Sequence, residues 1–206
     1  MIFALLSIRS YPFNENFNGI FANAYKDNIV EIEASGSRYC YSKTGKDIMT
    51  KPQNAIDPKE KEEWCSNYNK SKTDRPWLLM NFKENVKIEG YSLKAGCCEG
   101  RYGCCCRIYS WSLEGSNDNK TWSSLHKIEK NQDFYECKKI SYKINSNDNY
   151  RLIRLIQDEP EPHCWYCIDL AKIELYGTLN DQSSPSNIGE EEEVSVIGKL
   201  SRPSIE

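Results

Sequence analysis

Histidine is scarce in this chain of 206 residues, which contains only His126 and His163. A serine or cysteine nucleophile that works with a histidine base would need one of these two. His126 falls in a segment that we expect to be a strand, with its side chain toward solvent. His163 precedes Cys164, but adjacent side chains of an extended chain point in opposite directions. Because no glycine-rich phosphate loop or distinctive carboxylate pair is present either, the sequence predicts no catalytic activity.

An excess of positive charge is also absent. Lys and Arg number 27 against 30 Asp and Glu, and the formal net charge is −3. The acidic excess lies in residues 181–206, so the rest of the chain is nearly neutral. Nucleic-acid binding depends on a basic surface, so we expect no nucleic-acid partner. No apolar run is long enough to span a bilayer, so we expect no membrane insertion.

The two ends of the chain differ in composition from the middle. Residues 1–16 start with a short apolar stretch without a preceding basic residue, unlike a secretory signal peptide. We interpret them as an N-terminal extension, either packed on the domain or left from a missing upstream domain. Residues 180–206 are polar and acidic, which predicts a disordered tail. The domain itself should span residues 17–179. We expect a cytoplasmic protein, with secretion as the alternative.

The clearest pattern is a strand, a tight turn and a second strand between Tyr109 and Trp122. The large apolar side chains of Tyr109, Trp111 and Leu113 alternate with polar ones that should face solvent, as in a half-buried strand. Residues 115–119, Gly-Ser-Asn-Asp-Asn, favour turns and the left-handed backbone conformation. Trp122 then opens a second apolar run.

Further strands are predicted on both sides of this hairpin. They are residues 29–35, 77–82, 86–95, 138–144, 150–156 and 168–176. In the segment 86–95, Val86 and Ile88 should lie on one face and Tyr91 and Leu93 on the other, and Gly90 allows a bulge. In the long loop region 35–75, residues 57–64 should form one helical turn that begins at a proline. We expect Trp64 to plug the end of the domain.

The hairpin resembles that of discoidin-like domains, also called coagulation factor 5/8 type C domains, of the galactose-binding-like superfamily. Residues 114–122 are similar to the family's turn, with Asn119 where glycine is usual at a left-handed position. Residues 77–82, Trp-Leu-Leu-Met-Asn-Phe, are similar to its Trp-Leu-x-x-Asp-Phe strand. The segments 29–35, 150–156 and 173–177 also match in order. The resemblance implies an all-β fold, an antiparallel jelly-roll β-sandwich, and we expect the protist intracellular type.

The resemblance also implies a non-catalytic module that binds a glycan or a protein surface through loops at one end of the sandwich. These loops are residues 35–40, 96–106 and 160–167. The side chains expected to contact the ligand are Arg101, Tyr102, Trp165 and Tyr166. Aromatic faces stack on sugar rings, and arginine donates to hydroxyls or carboxylates. The alternative is a structural or scaffold domain that supports an upstream protein-interaction domain and has no small ligand.

Ten cysteines leave three interpretations open, namely reduced thiols, disulfides and a zinc site. The candidate disulfide or thiol cluster comprises Cys65, Cys97, Cys98, Cys104, Cys105, Cys106, Cys164 and Cys167. The bulky pair between Cys164 and Cys167 argues against zinc, and we predict no metal or other cofactor. We favour reduced thiols. If some are oxidised, the resemblance implies Cys65–Cys167 as the first disulfide. It also implies that the two cysteine-rich loops meet at one end of the sandwich.

Overall fold

The computed structural model of the chain describes residues 8–11, 13, 19–24, 29–41, 47–97 and 106–180. The elements in chain order are β1 Ile8–Tyr11, α1 Ile20–Ala24, β2 Val30–Ala34, β3 Tyr39–Tyr41, β4 Asp47–Met49, a 3-10 helix Pro52–Ile56, β5 Trp64–Cys65, β6 Trp77–Ala95, β7 Ile108–Ser116, β8 Ser123–Ile128, β9 Lys139–Lys143, β10 Tyr150–Pro160 and β11 Asp169–Asn180. None of the described helices is long and apolar enough to cross a membrane.

Strand β6 belongs to both layers of the fold. Its first part pairs with β2 and β10, and β10 continues the layer to β7 and β8. Its second part pairs with β11 and β9, and β11 also pairs with β1 and β5. All these pairings are antiparallel, and apolar side chains from both layers form one core. The predicted all-β sandwich is therefore confirmed.

A β-bulge divides β6 between the two layers. Tyr176 of β11 pairs with Gly90, whereas the next residue, Gly177, pairs with Ile88. Glu89 is therefore the extra residue, and its carbonyl accepts a hydrogen bond from the backbone amide that follows β9. An extra residue bends the strand and increases its twist, which lets the second part continue in the opposite layer. The bulge that the sequence allows at Gly90 is therefore present, with the preceding residue as the extra one.

The same bulge makes one prediction wrong. Val86 and Ile88 are buried before it, and Tyr91 and Leu93 are buried after it. All four side chains belong to the core, although the alternation of the sequence assigned them to opposite faces. The extra residue reverses the phase of the alternation, so that odd positions after the bulge continue the buried face of even positions before it.

Alternation in the predicted strands also assigns seven apolar side chains to a mostly buried core, and six of them are almost completely buried. At most 5% of each of the following is exposed: Leu79, Trp111, Leu113, Ile153, Leu155 and Leu175. Trp77 is only partly buried. Strand β7 is buried on both faces, so the prediction of a solvent-facing side is wrong. Its hydroxyls are satisfied within the protein, since Ser112 Oγ donates to Asp158 Oδ2 at 2.6 Å and Ser110 Oγ accepts from the Lys130 amide at 3.0 Å.

The hairpin turn has the predicted backbone. Asn119 has a φ of +57°, in the left-handed region that asparagine tolerates. Asp118 Oδ1 accepts hydrogen bonds from the amides of Thr121 at 2.7 Å and Lys120 at 2.8 Å. These bonds lower the pKa of Asp118 to about 2 because they favour the charged form. The sequence therefore encodes this turn locally.

The loop region before β6 differs from the prediction in one respect. The helical turn predicted at residues 57–64 is wrong, and a 3-10 helix instead occupies Pro52–Ile56. It forms there because Ala55 and Ile56 can be buried against the core, whereas residues 57–63 are mostly charged and are all at least partly exposed. Trp64 is fully buried and its Nε1 donates to Ser37 Oγ at 3.0 Å, which fits the expected structural role.

The ends of the domain are only partly described. Strand β1 falls within the predicted N-terminal extension 1–16, and it pairs with the end of β11. Residues 1–7 and 181–206 lie outside the described residues. The predicted domain boundaries therefore stay predictions.

Candidate functional site

Three disulfides join described cysteines. They are Cys40–Cys65, Cys97–Cys137 and Cys106–Cys167. The third joins the second and third predicted loops, so these loops meet as expected. The interpretation as reduced thiols is wrong for these six residues, and the predicted Cys65–Cys167 bridge is also wrong. The antiparallel register of β5 and β11 places Cys65 opposite Asp169, which leaves Cys167 to bond with Cys106.

Several predicted site residues cannot be placed. Arg101, Tyr102, Cys98, Cys104 and Cys105 lie outside the described residues. Their predicted roles as ligand contacts or bridging cysteines stay predictions. Cys164 is partly buried. Within the described part of the chain, no group of three or more His, Cys, Asp and Glu residues could hold a metal ion.

Two aromatic side chains lie side by side at the loop end of the sandwich. Tyr68 is 48% exposed and Trp165 is 40% exposed. Their ring centroids are 6.2 Å apart, with an angle of 58° between the ring planes. Large aromatic side chains are normally buried, so this exposed pair marks a surface with apolar character at the end where the loops meet.

A short β-bridge positions this pair. Asn69 and Tyr166 form it, with amide-to-carbonyl distances of 2.9 and 3.0 Å. In this antiparallel register Lys70 lies opposite Trp165, and Tyr68 lies diagonal to it. Side chains alternate along extended segments, so these three lie on one face of the bridge. Tyr166 contributes backbone hydrogen bonds, and alternation assigns its partly buried side chain to the other face.

A cation lies over each exposed ring. Lys70 Nζ is 4.4 Å from the centroid of Trp165, and Arg38 Cζ is 4.1 Å from that of Tyr68. Arg38 Nη1 also donates to the Tyr68 hydroxyl at 2.5 Å. These four side chains, Arg38, Tyr68, Lys70 and Trp165, form what we call the aromatic–cationic surface. Such contacts hold each cation at a ring face by attraction to the π-electrons.

Both neighbouring disulfides help to hold Arg38 in place. Its amide donates to the carbonyl of Cys65 at 3.0 Å, and its carbonyl accepts from the amide of Thr50 at 3.1 Å. Its Nη2 lies 3.0 Å from Cys106 Sγ. The Cys40–Cys65 bond therefore joins the segment of Arg38 to the segment of Tyr68 and Lys70. The Cys106–Cys167 bond joins the segment of Trp165 to Cys106, which contacts Arg38 through one hydrogen bond.

A buried carboxyl group lies at the same end. Asp169 is 6% exposed, and its Oδ1 is 3.4 Å from Cys65 Sγ, which carries no proton because it is disulfide-bonded. The pKa of Asp169 is raised to about 8, mainly by burial and also by nearby Glu63, while Arg38 opposes the shift. Any side chain at position 96 would collide with this carboxyl, which explains why Gly96 lies there. Asp169 is therefore mostly protonated near pH 7.

A cleft of about 240 Å³ also opens near this end. It is lined by Ala95, Gly96, Cys106, Arg107, Ile108, Phe134, Tyr135, Glu136, Glu161 and Asp169. The cleft contains carboxyl groups without the geometry of a metal site. Its exposed aromatic ring is that of Tyr135. The arrangement thus offers less stacking surface than the aromatic–cationic surface does.

Of the four predicted ligand contacts, Trp165 is the one that the structure places in an exposed aromatic pair. Sequence reasoning missed its three neighbours. Arg38 lies in a predicted loop but had no distinguishing pattern around it. Tyr68 and Lys70 lie in a long segment without periodicity, and the single available signal was an aromatic residue in the polar run Ser-Asn-Tyr-Asn-Lys-Ser.

The fold is similar to that of several solved binding modules. CpGH89CBM32-5 of Clostridium perfringens, in complex with GalNAc-β-1,3-galactose, has a TM-score of 0.52 and 14% identity over 72% of this chain and 95% of that one. CBM32-3 of a Clostridium perfringens family 31 glycoside hydrolase gives 0.53 and 16%, over 72% and 91%. Chitosan-binding module 2 of a Paenibacillus sp. IK-5 chitosanase/glucanase, in complex with chitotriose, gives 0.50 and 16%, over 72% and 97%.

At these identities the similarity shows the fold alone. A search of curated protein sequences found no significant match. The comparisons give no support to the narrower expectation of a protist, intracellular type. The family model of the F5/8 type C domain matches residues 31–168, which is more than half of the chain. The chain therefore belongs to the F5/8 type C domain family.

Proposed function

We propose that this chain is a non-catalytic binding module that holds a saccharide on the aromatic–cationic surface. The observation that carries the proposal is the exposed pair of Tyr68 and Trp165 at the loop end of the sandwich. Aromatic faces and edges pack against the C–H groups of sugar rings, and the neighbouring cations can donate to hydroxyl oxygens. The similar modules crystallised with GalNAc-β-1,3-galactose and with chitotriose support a saccharide as the ligand class.

Preorganisation supports the same proposal. The β-bridge and the two disulfides fix the segments that carry the four side chains before any ligand arrives. A surface that is already ordered loses less conformational entropy on binding. The small contact area of one or two sugar rings can then give useful affinity.

A protein ligand is the second candidate, and one observation favours it. Tyr39 and Met49 face each other across the β3–β4 pair and are 62% and 49% exposed. Exposed aromatic and methionine side chains are enriched where proteins contact each other. A protein that covers this hairpin would contact Tyr39 and Met49 directly.

Two further aspects of the proposal concern catalysis and compartment. His126 supports a non-catalytic role, because it is partly buried in an aromatic cluster, and not directed toward solvent as expected, with its Nδ1 2.9 Å from the Tyr91 hydroxyl. We also propose an oxidising compartment, the alternative to the expected cytoplasm. The three disulfides support it, since such bonds are rare in reducing compartments.

A glycan array tests the saccharide proposal. The wild-type chain should bind a defined set of glycans, and Trp165→Ala and Tyr68→Ala should each weaken binding by at least about tenfold. Tyr135→Ala is the matched control, because Tyr135 is also 48% exposed and also has a cation near its ring. Binding that survives both site variants, or that the control removes equally well, would contradict the proposal.

A further inference from the structure

We propose that the aromatic–cationic surface selects acidic saccharides, which carry a carboxylate or a sulfate, over neutral ones. This inference rests on the proposed function and names the ligand class for that same surface. It follows from a comparison of the cation–ring contacts and from the charge around them.

Cation–ring contacts elsewhere in the described chain are neutralised by carboxylates. Arg154 Cζ lies 3.9 Å over the ring of Trp122, and its Nη2 forms an ion pair with Glu114 at 2.6 Å. A second cation, Lys138, lies near an exposed tyrosine ring and is 3.7 Å from Asp133. In both places the positive charge has an acidic partner in the protein.

The two cations of the aromatic–cationic surface differ from these. Within the described residues, neither Arg38 nor Lys70 forms an ion pair. Asp169 interacts electrostatically with Arg38, but its carboxyl is buried and burial raises its pKa, which favours the uncharged form. Two positive charges therefore stand at an exposed aromatic surface, and neither is ion-paired with a carboxylate of the described residues.

This arrangement disfavours neutral sugars. A neutral ring that stacks on the covered face of Trp165 must displace Lys70, and the cation–π attraction is lost in exchange. The same competition holds at Tyr68, where Arg38 occupies the ring face and also bonds the hydroxyl. A neutral ligand offers no charge to replace either contact.

An acidic sugar meets no such competition. Its carboxylate or sulfate accepts charge-assisted hydrogen bonds from the Lys70 ammonium. It also accepts them from the Arg38 N–H donors that remain after one bonds the hydroxyl of Tyr68 and another bonds the sulfur of Cys106. The cations then stay on the ring faces while the sugar packs beside the rings. Because residues 1–180 are nearly neutral, the selectivity would come from this surface and from no general positive field.

Titration calorimetry with paired probes tests the inference. The probes are 3′-sulfated lactose with lactose, and trigalacturonate with its methyl ester, so that each pair differs in the acidic group. In 0.15 M salt the acidic member of each pair should bind the wild-type chain about tenfold more tightly, the size expected of one charge-assisted hydrogen bond. Raising the salt to 1 M should reduce this difference, because charges are then screened within about 3 Å.

Two lysine variants locate the effect. Lys70→Gln should weaken binding of the acidic probes by about tenfold and should not weaken binding of the neutral probes, which then have no cation to displace from the ring of Trp165. Lys72→Gln is the matched control, because Lys72 is exposed in the same loop but makes no contact with a ring of the surface. It should change neither affinity. Both side chains are exposed, and equal melting temperatures would show that the variants fold alike.

The outcomes separate the two proposals. Equal affinity for the acidic and neutral members would overturn the acidic preference and leave the saccharide proposal standing. The absence of binding to any saccharide, on the array or in solution, would overturn both. If polyglutamate binds as tightly as the acidic sugars, or Lys72→Gln acts like Lys70→Gln, the surface attracts charge of any kind and the acidic-saccharide inference is wrong.

Discussion

The Cys106–Cys167 disulfide should contribute strongly to stability, and the double variant Cys106→Ala/Cys167→Ala removes it. The bond closes a loop with a sequence separation of 61 residues. The loop-closure entropy of the unfolded chain then corresponds to about 4 kcal/mol at 25 °C. The Cys97–Cys137 bond shortens the effective loop, but the logarithmic dependence on length keeps the estimate at about 4 kcal/mol.

Urea denaturation of the double variant and the wild type gives the free energies of unfolding to compare. The variant should also bind saccharide more weakly, because Cys106 contacts Arg38 and Cys167 follows the segment of Trp165. Mass spectrometry should first confirm that the other two described disulfides are unchanged. A loss of stability under about 1 kcal/mol, with binding unaffected, would refute the view that this bond holds the loop end together.

Three further predictions concern the core and the sheets. Leu113→Ala should lower the free energy of unfolding in urea by about 2–5 kcal/mol, because its side chain is fully buried. Glu174→Ala should lower it by about 1–3 kcal/mol, since the carboxylate accepts hydrogen bonds from the first turn of α1, and an undiminished stability would contradict this role. Burial lowers the pKa of His126 below 6.5. As the pH falls, the unfolded chain therefore binds the proton at a higher pH than the folded chain does, and the free energy of unfolding should decrease below about pH 6.5. His126→Gln should remove that part of the pH dependence of the urea midpoint, and a midpoint profile identical to that of the wild type would show that His126 does not cause it.

Much of the fold could be predicted because the signals are local. The hairpin turn needs a residue that tolerates a positive φ, and Asn119 supplies it within a run of turn-forming residues. The buried side chains of β10 and β11 follow from apolar alternation. Gly90 indicated that a bulge could form in β6, but the resulting phase of the buried face could not be predicted, because it depends on which residue is left without a partner when β11 pairs with the strand.

The candidate site was less predictable because distant segments form it. Trp165 was identified from its place in a loop, but its neighbours depend on one bridge between Asn69 and Tyr166. Neither segment has a periodicity that specifies this pairing. The disulfide partners were missed for the same reason, since the register of β5 against β11 decides which cysteines meet.

Indole N–H resonances test the central claim most directly, because the chain has five tryptophans and they differ in burial. We would add 3′-sulfated lactose, and separately lactose, to the wild-type chain and follow the indole shifts. We expect a saturable shift of the Trp165 resonance, assigned with Trp165→Phe, while the resonances of the fully buried Trp64 and Trp111 stay unchanged. A saturable shift at another tryptophan with none at Trp165, or no shift with either sugar, would contradict it.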